Sequence, residues 1–206
     1  NGVVGDVEAS SGTGYILVYD ETGMPKGPEF PAFTENHTGW TSSAASNDGG
    51  FVTIWGHSEG MFGQKFDVNG NSVGSEFSLV GETFTPESNP QIIAQTDGTF
   101  VISWTKFIGY SNGAYGEFTI LGQRLNENGG QIGETFEIAS HAFQNGMGGL
   151  KAMAMLEDGS GVVAWQSGTE YGSDSNIFAQ TFDASTFAAI EDNTLVVEVE
   201  VYTDGV

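Results

Sequence analysis

The stretch DGGFVTIW (48–55) returns as DGTFVISW (97–104) and again as DGSGVVAW (158–165). Three copies of one octapeptide mark a chain assembled from repeats of roughly 50 residues, with connections of variable length. The Asp-Gly pair in each copy predicts a tight hairpin turn, because glycine and aspartate tolerate the positive φ that such turns need. The apolar run that follows shows little alternation, as expected for a strand covered on both faces.

Flanking segments repeat in the same order. After the tryptophan come GQKFDVNG (63–70), GQRLNENG (122–129) and AQTFDAST (179–186), and the first two lead into VGSEFSL (73–79) and IGETFEI (132–138). Before the octapeptide lie SSAAS (42–46), QIIAQ (91–95) and KAMAML (151–156). One unit thus carries four short β-like segments ended by Gly, Asn or Asp, which describes a β-propeller blade. Helix is disfavoured throughout. No window sustains a spacing of three or four between apolar residues, and the register with QIIAQ assigns 150–156 to a strand.

The expected fold is therefore all-β: a single β-propeller-like repeat domain over 1–206, with about four blades of four antiparallel strands. The units fall near 12–32 (partial), 40–80, 90–138 and 150–202. The first unit shows only its last two strands clearly, LVYDETG (17–23) and KGPEFPA (26–32). Its missing strands could come from GVVGDVEA (2–9) or from LVVEVEVY (195–202), which would close the ring and remove exposed edges. If LVVEVEVY instead pairs with a neighbouring molecule, the same strand supports self-association.

Composition narrows the partners. Five Lys+Arg against 27 Asp+Glu give a formal net charge of −22. Nucleic-acid binding needs a basic footprint, which is missing, and anionic membrane surfaces are disfavoured for the same reason. No apolar run is long enough for a membrane helix, so no membrane insertion is expected. Cysteine is absent, and 31 glycines with 12% aromatics read as a turn-rich β domain. A start at Asn1 fits a mature or excised segment.

These motifs resemble the propeller-type repeats of large secreted bacterial RTX adhesin and cadherin-repeat surface proteins. The pattern is carried by Asp48, Gly49, Gly50, Phe51, Val52, Trp55, Gly63, Gln64, Phe66, Asp67, Gly70, Val73, Gly74, Glu76 and Phe77. It covers about 15–183, with departures at Leu17, Leu125 and Ala179. The resemblance implies an extracellular or cell-surface location and assigns neither a ligand nor a catalytic residue.

Candidate chemistry is sparse. Trp55, Trp104 and Trp165 share a register at strand ends, which predicts packing between blades. Gln64, Gln123 and Gln180 are expected to bond backbone between blades. Asp67, Asn69 and Asn71 have the alternate oxygens of a calcium loop, although the bidentate glutamate is displaced and a plain hairpin turn explains them equally well. Ca2+ is thus a candidate ligand. His37, His57 and His141 show no metal-ligand spacing, and no nucleophile or phosphate motif occurs. Two long loops, 105–118 and 166–176, should emerge on one side with Tyr110, Tyr115 and Tyr171. Trp40 is a further free aromatic in a loop before a strand.

The functional expectation is a non-enzymatic extracellular structural or adhesion module, with no catalytic residue and with terminal strands suited to self-association. Two alternatives stay open: a glycan- or calcium-dependent binding module, and a polysaccharide-acting hydrolase or lyase.

Overall fold

In the computed structural model of the chain, the described residues are 3–4, 14–20, 22–33, 37–57, 59–80, 89–111, 115–139, 150–156, 159–168, 175–183, 188–189 and 195–197. Each octapeptide forms the second strand of an antiparallel sheet, as its apolar run predicts. Near the N-terminus β1 (Val3–Val4) pairs with β3 (Val18–Tyr19), and β2 (Gly14–Ile16) pairs with β4 (Phe30–Phe33). A first full sheet follows in chain order: β5 (His37–Ala45), β6 (Phe51–His57), β7 (Gly60–Phe66) and β8 (Ser72–Val80). The second contains β9 (Gln91–Ala94), β10 (Phe100–Ser111), β11 (Tyr115–Leu125) and β12 (Gln131–Ala139). The third contains β13 (Leu150–Met155), β14 (Ser160–Gly168), β15 (Ser175–Asp183) and β16 (Ala188–Ala189). The fold is all-β and propeller-like, with three full sheets and two short N-terminal strand pairs among the described residues.

The sheets stack face to face, and the repeated tryptophans lie between them. Trp55 sits with Ile16, Val18, Phe33, Phe51 and Phe66, and its ring stacks on Phe33 at 4.9 Å. Trp104 joins Phe100 and Ile102 against Val52, Ile54 and Met61 of the preceding sheet. Trp165 joins Val163 and Phe182 against Val101, Phe118, Ile120 and Ile138. Burying each such side chain stabilises by roughly 1.5–3 kcal/mol, so these three cores hold the stack together. The first strands β5, β9 and β13 adjoin one another, whereas β8 and β12 are mostly exposed. First strands inside and fourth strands outside is the radial order of propeller blades.

The motif G-Q-x-F…V-G-x-x-F encodes a bulge in the outer strand. Pairing of β7 with β8 slips between Gly63 and Lys65, and pairing of β11 with β12 slips between Gly122 and Arg124. Gly74 and Gly133 take φ of 74° and 69° there, a left-handed conformation that glycine adopts without penalty. The skipped residues are Gln64 and Gln123. Gln64 Nε2 donates to the carbonyls of Lys65 (2.8 Å) and Val73 (3.1 Å), and Gln123 Nε2 to those of Arg124 (3.0 Å) and Ile132 (2.9 Å). The expectation that these amides bond between blades is thus corrected. They replace ladder bonds within a blade, where carbonyls at the bulge would otherwise lack donors from the paired strand.

The C-terminal expectation changes as well. β17 (Leu195–Val197) pairs with β15 of the last sheet, not with the first unit, while 198–206 lie outside the described residues. β1 does join the first unit, through β3. Among the described residues no helix is long and apolar enough to cross a membrane.

Candidate functional site

The two ends of the sheets differ in kind. At what we term the lower end, strand 1 turns into strand 2 and strand 3 into strand 4. Six such turns are described, and all use one backbone. Residue i donates its N–H to the carbonyl of i+4, and a glycine at i+3 donates back to residue i, as in Asp67, Gly70 and Asn71. Those glycines (23, 49, 70, 98, 129 and 159) have φ between 82° and 87°. This is a three-residue hairpin loop with its last residue left-handed.

Lower-end polar groups serve these turns. Asp67 Oδ1 accepts the N–H groups of Asn69 and Asn71 at 2.8 Å each, and Oδ2 accepts Asn71 Nδ2 at 2.9 Å. The Asn71 bonds, then those from Asn69, hold this carboxyl below its usual range. Asp67, Asn69 and Asn71 therefore sit in a hairpin turn whose hydrogen bonds engage both carboxylate oxygens. Asn126 does the same work in the next sheet, accepting from Asn128 and Gly130 at 2.9 Å each. Among the described residues no group of three or more His, Cys, Asp or Glu is placed to hold a metal. Two of the chain's few cations are also tied to lower turns: Lys65 Nζ lies 2.8 Å from Asp48 Oδ2, and Arg124 pairs with Asp97. Lys65, then Ser46 and the Gly50 N–H, hold Asp48 well below the usual carboxylate range. For Asp97 the Thr99 hydroxyl leads.

At the upper end strand 2 turns into strand 3, and the chain passes from sheet to sheet. Nothing is uniform here. The strand 2–3 connections cover 58–59, 112–114 and 169–174. The expected loop 105–118 is mostly strand: β10 runs to Ser111 and β11 starts at Tyr115, well beyond the pairing of β10 with β9, which stops at Ser103. A two-stranded ribbon of roughly 20 Å therefore overhangs the sheet. Likewise β14 runs to Gly168 and β15 starts at Ser175, so strand replaces much of the loop expected at 166–176.

Of the four candidate aromatics, Tyr110 and Tyr115 lie on this ribbon, paired with Gly116 and Ser111 respectively. Trp40 belongs to β5, not to a loop before it, and sits where pairing with β6 slips between His37 and Thr41. Tyr171 falls outside the described residues. The ribbon also presents two residues not singled out in the sequence: Phe107, 41% exposed, and Ile108, 49% exposed. Register slips at Ile108, between Phe107 and Gly109, and such a bulge re-aims side chains. Phe107 is held by Phe118 on the paired strand, with ring centroids 5.3 Å apart.

The histidines, scattered in sequence, are partly gathered. His37 and His57 are direct cross-strand partners at the upper end of β5 and β6. The Glu59 N–H donates to His57 Nδ1 at 3.1 Å, and the Phe62 ring meets the imidazole edge-on at 5.5 Å. An accepting Nδ1 places the proton of the neutral ring on Nε2. This bond and the Phe62 contact fix the orientation of the His57 ring. Only the β5–β6 register could reveal this pair, since the sequence separates the two by a hairpin.

No protein-family profile and no characterised protein matches the chain in sequence. Solved structures match in fold. An ulvan lyase, from a new family of polysaccharide lyase, superposes with a TM-score of 0.57 at 10% identity over 92% of this chain and 50% of its own. The same enzyme bound to -[GlcA(1-4)Rha3S]- gives the same values. An endo-arabinase from Bacteroides thetaiotaomicron superposes with a TM-score of 0.50 at 13% identity over 89% of this chain and 72% of its own. The chain thus spans about half the length of the ulvan lyase. These likenesses correct the expectation of a non-enzymatic structural or adhesion module, because the scaffolds that this chain shares are those of polysaccharide-acting enzymes.

Proposed function

We propose that the chain is the propeller-like part of a secreted polysaccharide-acting enzyme, with the polymer lying across the upper end of its sheets. The difference between the two ends carries this reading. Six identical turns close the lower end, while the upper end combines connections of unequal length, an overhanging aromatic ribbon and a cross-strand histidine pair. Recognition on rigid scaffolds concentrates where loops vary. The fold shared with an ulvan lyase and an endo-arabinase supports a polysaccharide as the substrate.

Within this reading His57 is the acid–base group. Its Nδ1 is fixed by the Glu59 N–H, which leaves Nε2 to exchange a proton with the sugar or with water. The test is incubation of the purified chain with a polysaccharide panel, scoring new reducing ends and the ultraviolet absorbance of unsaturated uronates. We expect turnover of at least one polymer and a loss of roughly 100-fold or more in kcat/KM for His57→Ala. Absence of product from every polymer would overturn the proposal.

A further inference from the structure

We infer that the β10–β11 ribbon is a stacking platform for a neutral glycan chain, and that polyanionic polysaccharides are excluded from it. This rests on the reading of the chain as polysaccharide-acting. Two observations carry it, one of shape and one of charge.

The shape is that of a preformed apolar contact. Phe107 and Ile108 are neighbours on the ribbon and are exposed at 41% and 49%. Consecutive large apolar side chains that are both about half exposed offer a small apolar contact surface. The Phe107 ring is not free to collapse, because Phe118 supports it from the paired strand. A partly exposed ring braced by a neighbouring ring suits the apolar C–H face of a sugar, and the bracing lowers the entropy lost on binding. The ribbon overhangs the sheet by roughly 20 Å, enough for several sugar units of an extended chain.

The charge selects which glycan. With a net charge of −22 and five cations in all, the chain repels polyanions over distances of about 8–10 Å at ordinary salt. Lys65 and Arg124 cannot offset this at the ribbon, since both are engaged with lower-end carboxylates. The ribbon's one cation, Lys106, stands opposite Thr119, and Glu117 follows on the same paired strand. A polymer such as the -[GlcA(1-4)Rha3S]- bound by the ulvan lyase brings a carboxylate and a sulfate in each repeat and would meet the net negative field of the whole chain, since Lys106 and Glu117 balance within the ribbon itself. A neutral polymer meets no such barrier.

Native affinity electrophoresis of the full chain tests this, in gels containing a neutral arabinan or β-glucan, or an anionic ulvan or polygalacturonate, at low and high salt. We expect retardation by a neutral polymer, unchanged by salt, weakened about tenfold in Phe107→Ala and restored in Phe107→Trp, whose ring keeps the stacking face. Circular dichroism of both variants controls for folding. Stronger retention by a polyanion, or neutral binding indifferent to Phe107→Ala, overturns this inference and leaves the polysaccharide reading standing. Neither binding nor cleavage of any polymer overturns both.

Discussion

Lys65, with 7% of its surface exposed, places its ammonium 2.8 Å from the Asp48 carboxylate across the lower turn of the first full sheet. The two partners are unequal, since Asp48 faces solvent and Lys65 does not. Removing the aspartate strands a buried charge, whereas removing the lysine leaves a carboxylate that water can solvate. We expect Asp48→Ala to destabilise by about 1–2 kcal/mol, and Lys65→Met to change stability by less than about half of that. Urea unfolding of the two variants checks the order, and equal losses would refute it.

The same carboxylates set the acid limit of the fold. Asp20, Asp48, Asp67 and Asp97 all have their pKa lowered by hydrogen bonds from their own turns or by a cationic partner. A carboxyl lowered in the folded state contributes stability that is complete above its unfolded value, near pH 4, and is lost as pH falls through the folded value. Stability should therefore hold from neutrality to about pH 5 and then decline towards acid. Asp48→Asn should flatten that decline, as read from Tm against pH.

Asp67 offers an internal control, because Asn126 closes the equivalent turn of the next sheet with an amide. We expect Asp67→Asn to match the parent in thermal unfolding and Asp67→Ala to unfold at a lower temperature, because only the amide keeps the turn's acceptor. Calcium should leave Tm unchanged in all three proteins. A calcium-dependent rise that Asp67→Asn abolishes would show that this loop binds the ion after all.

Gly122 lies under Phe136, whose ring atoms would stand 2.4 Å from an added Cβ. Gly122→Ala should cost about 1–3 kcal/mol through overpacking, and Phe136→Leu should recover part of it in a double-mutant cycle. The third sheet already carries the relieved version. Ala179 faces Leu195 of β17, with no phenylalanine opposite.

Much of this architecture was legible because the repeat is periodic. Aligning 48–55, 97–104 and 158–165 locates three second strands, and the in-phase tryptophans reveal sheet-to-sheet packing without any coordinates. The Gln64 and Gln123 positions were visible, but not their partners, because a bulge depends on how two strands register. Residues 105–111 read as loop because Lys106, Gly109 and Ser111 break the apolar run, yet ribbons held only by each other tolerate polar residues. The site was the least legible part. His37 and His57 meet only through the register of β5 with β6, and Phe107 counts as exposed only once β9 is seen to stop short.

The shared backbone of the six lower turns gives the described hairpins a common floor. Connections of unequal length at the opposite end have not shifted any of the three tryptophans out of its core. Differences in connection length above that floor are absorbed without displacing the tryptophan cores. A lineage could thus exchange one upper segment for another, or an engineer could graft one, while the rest of the chain folds on unchanged instructions.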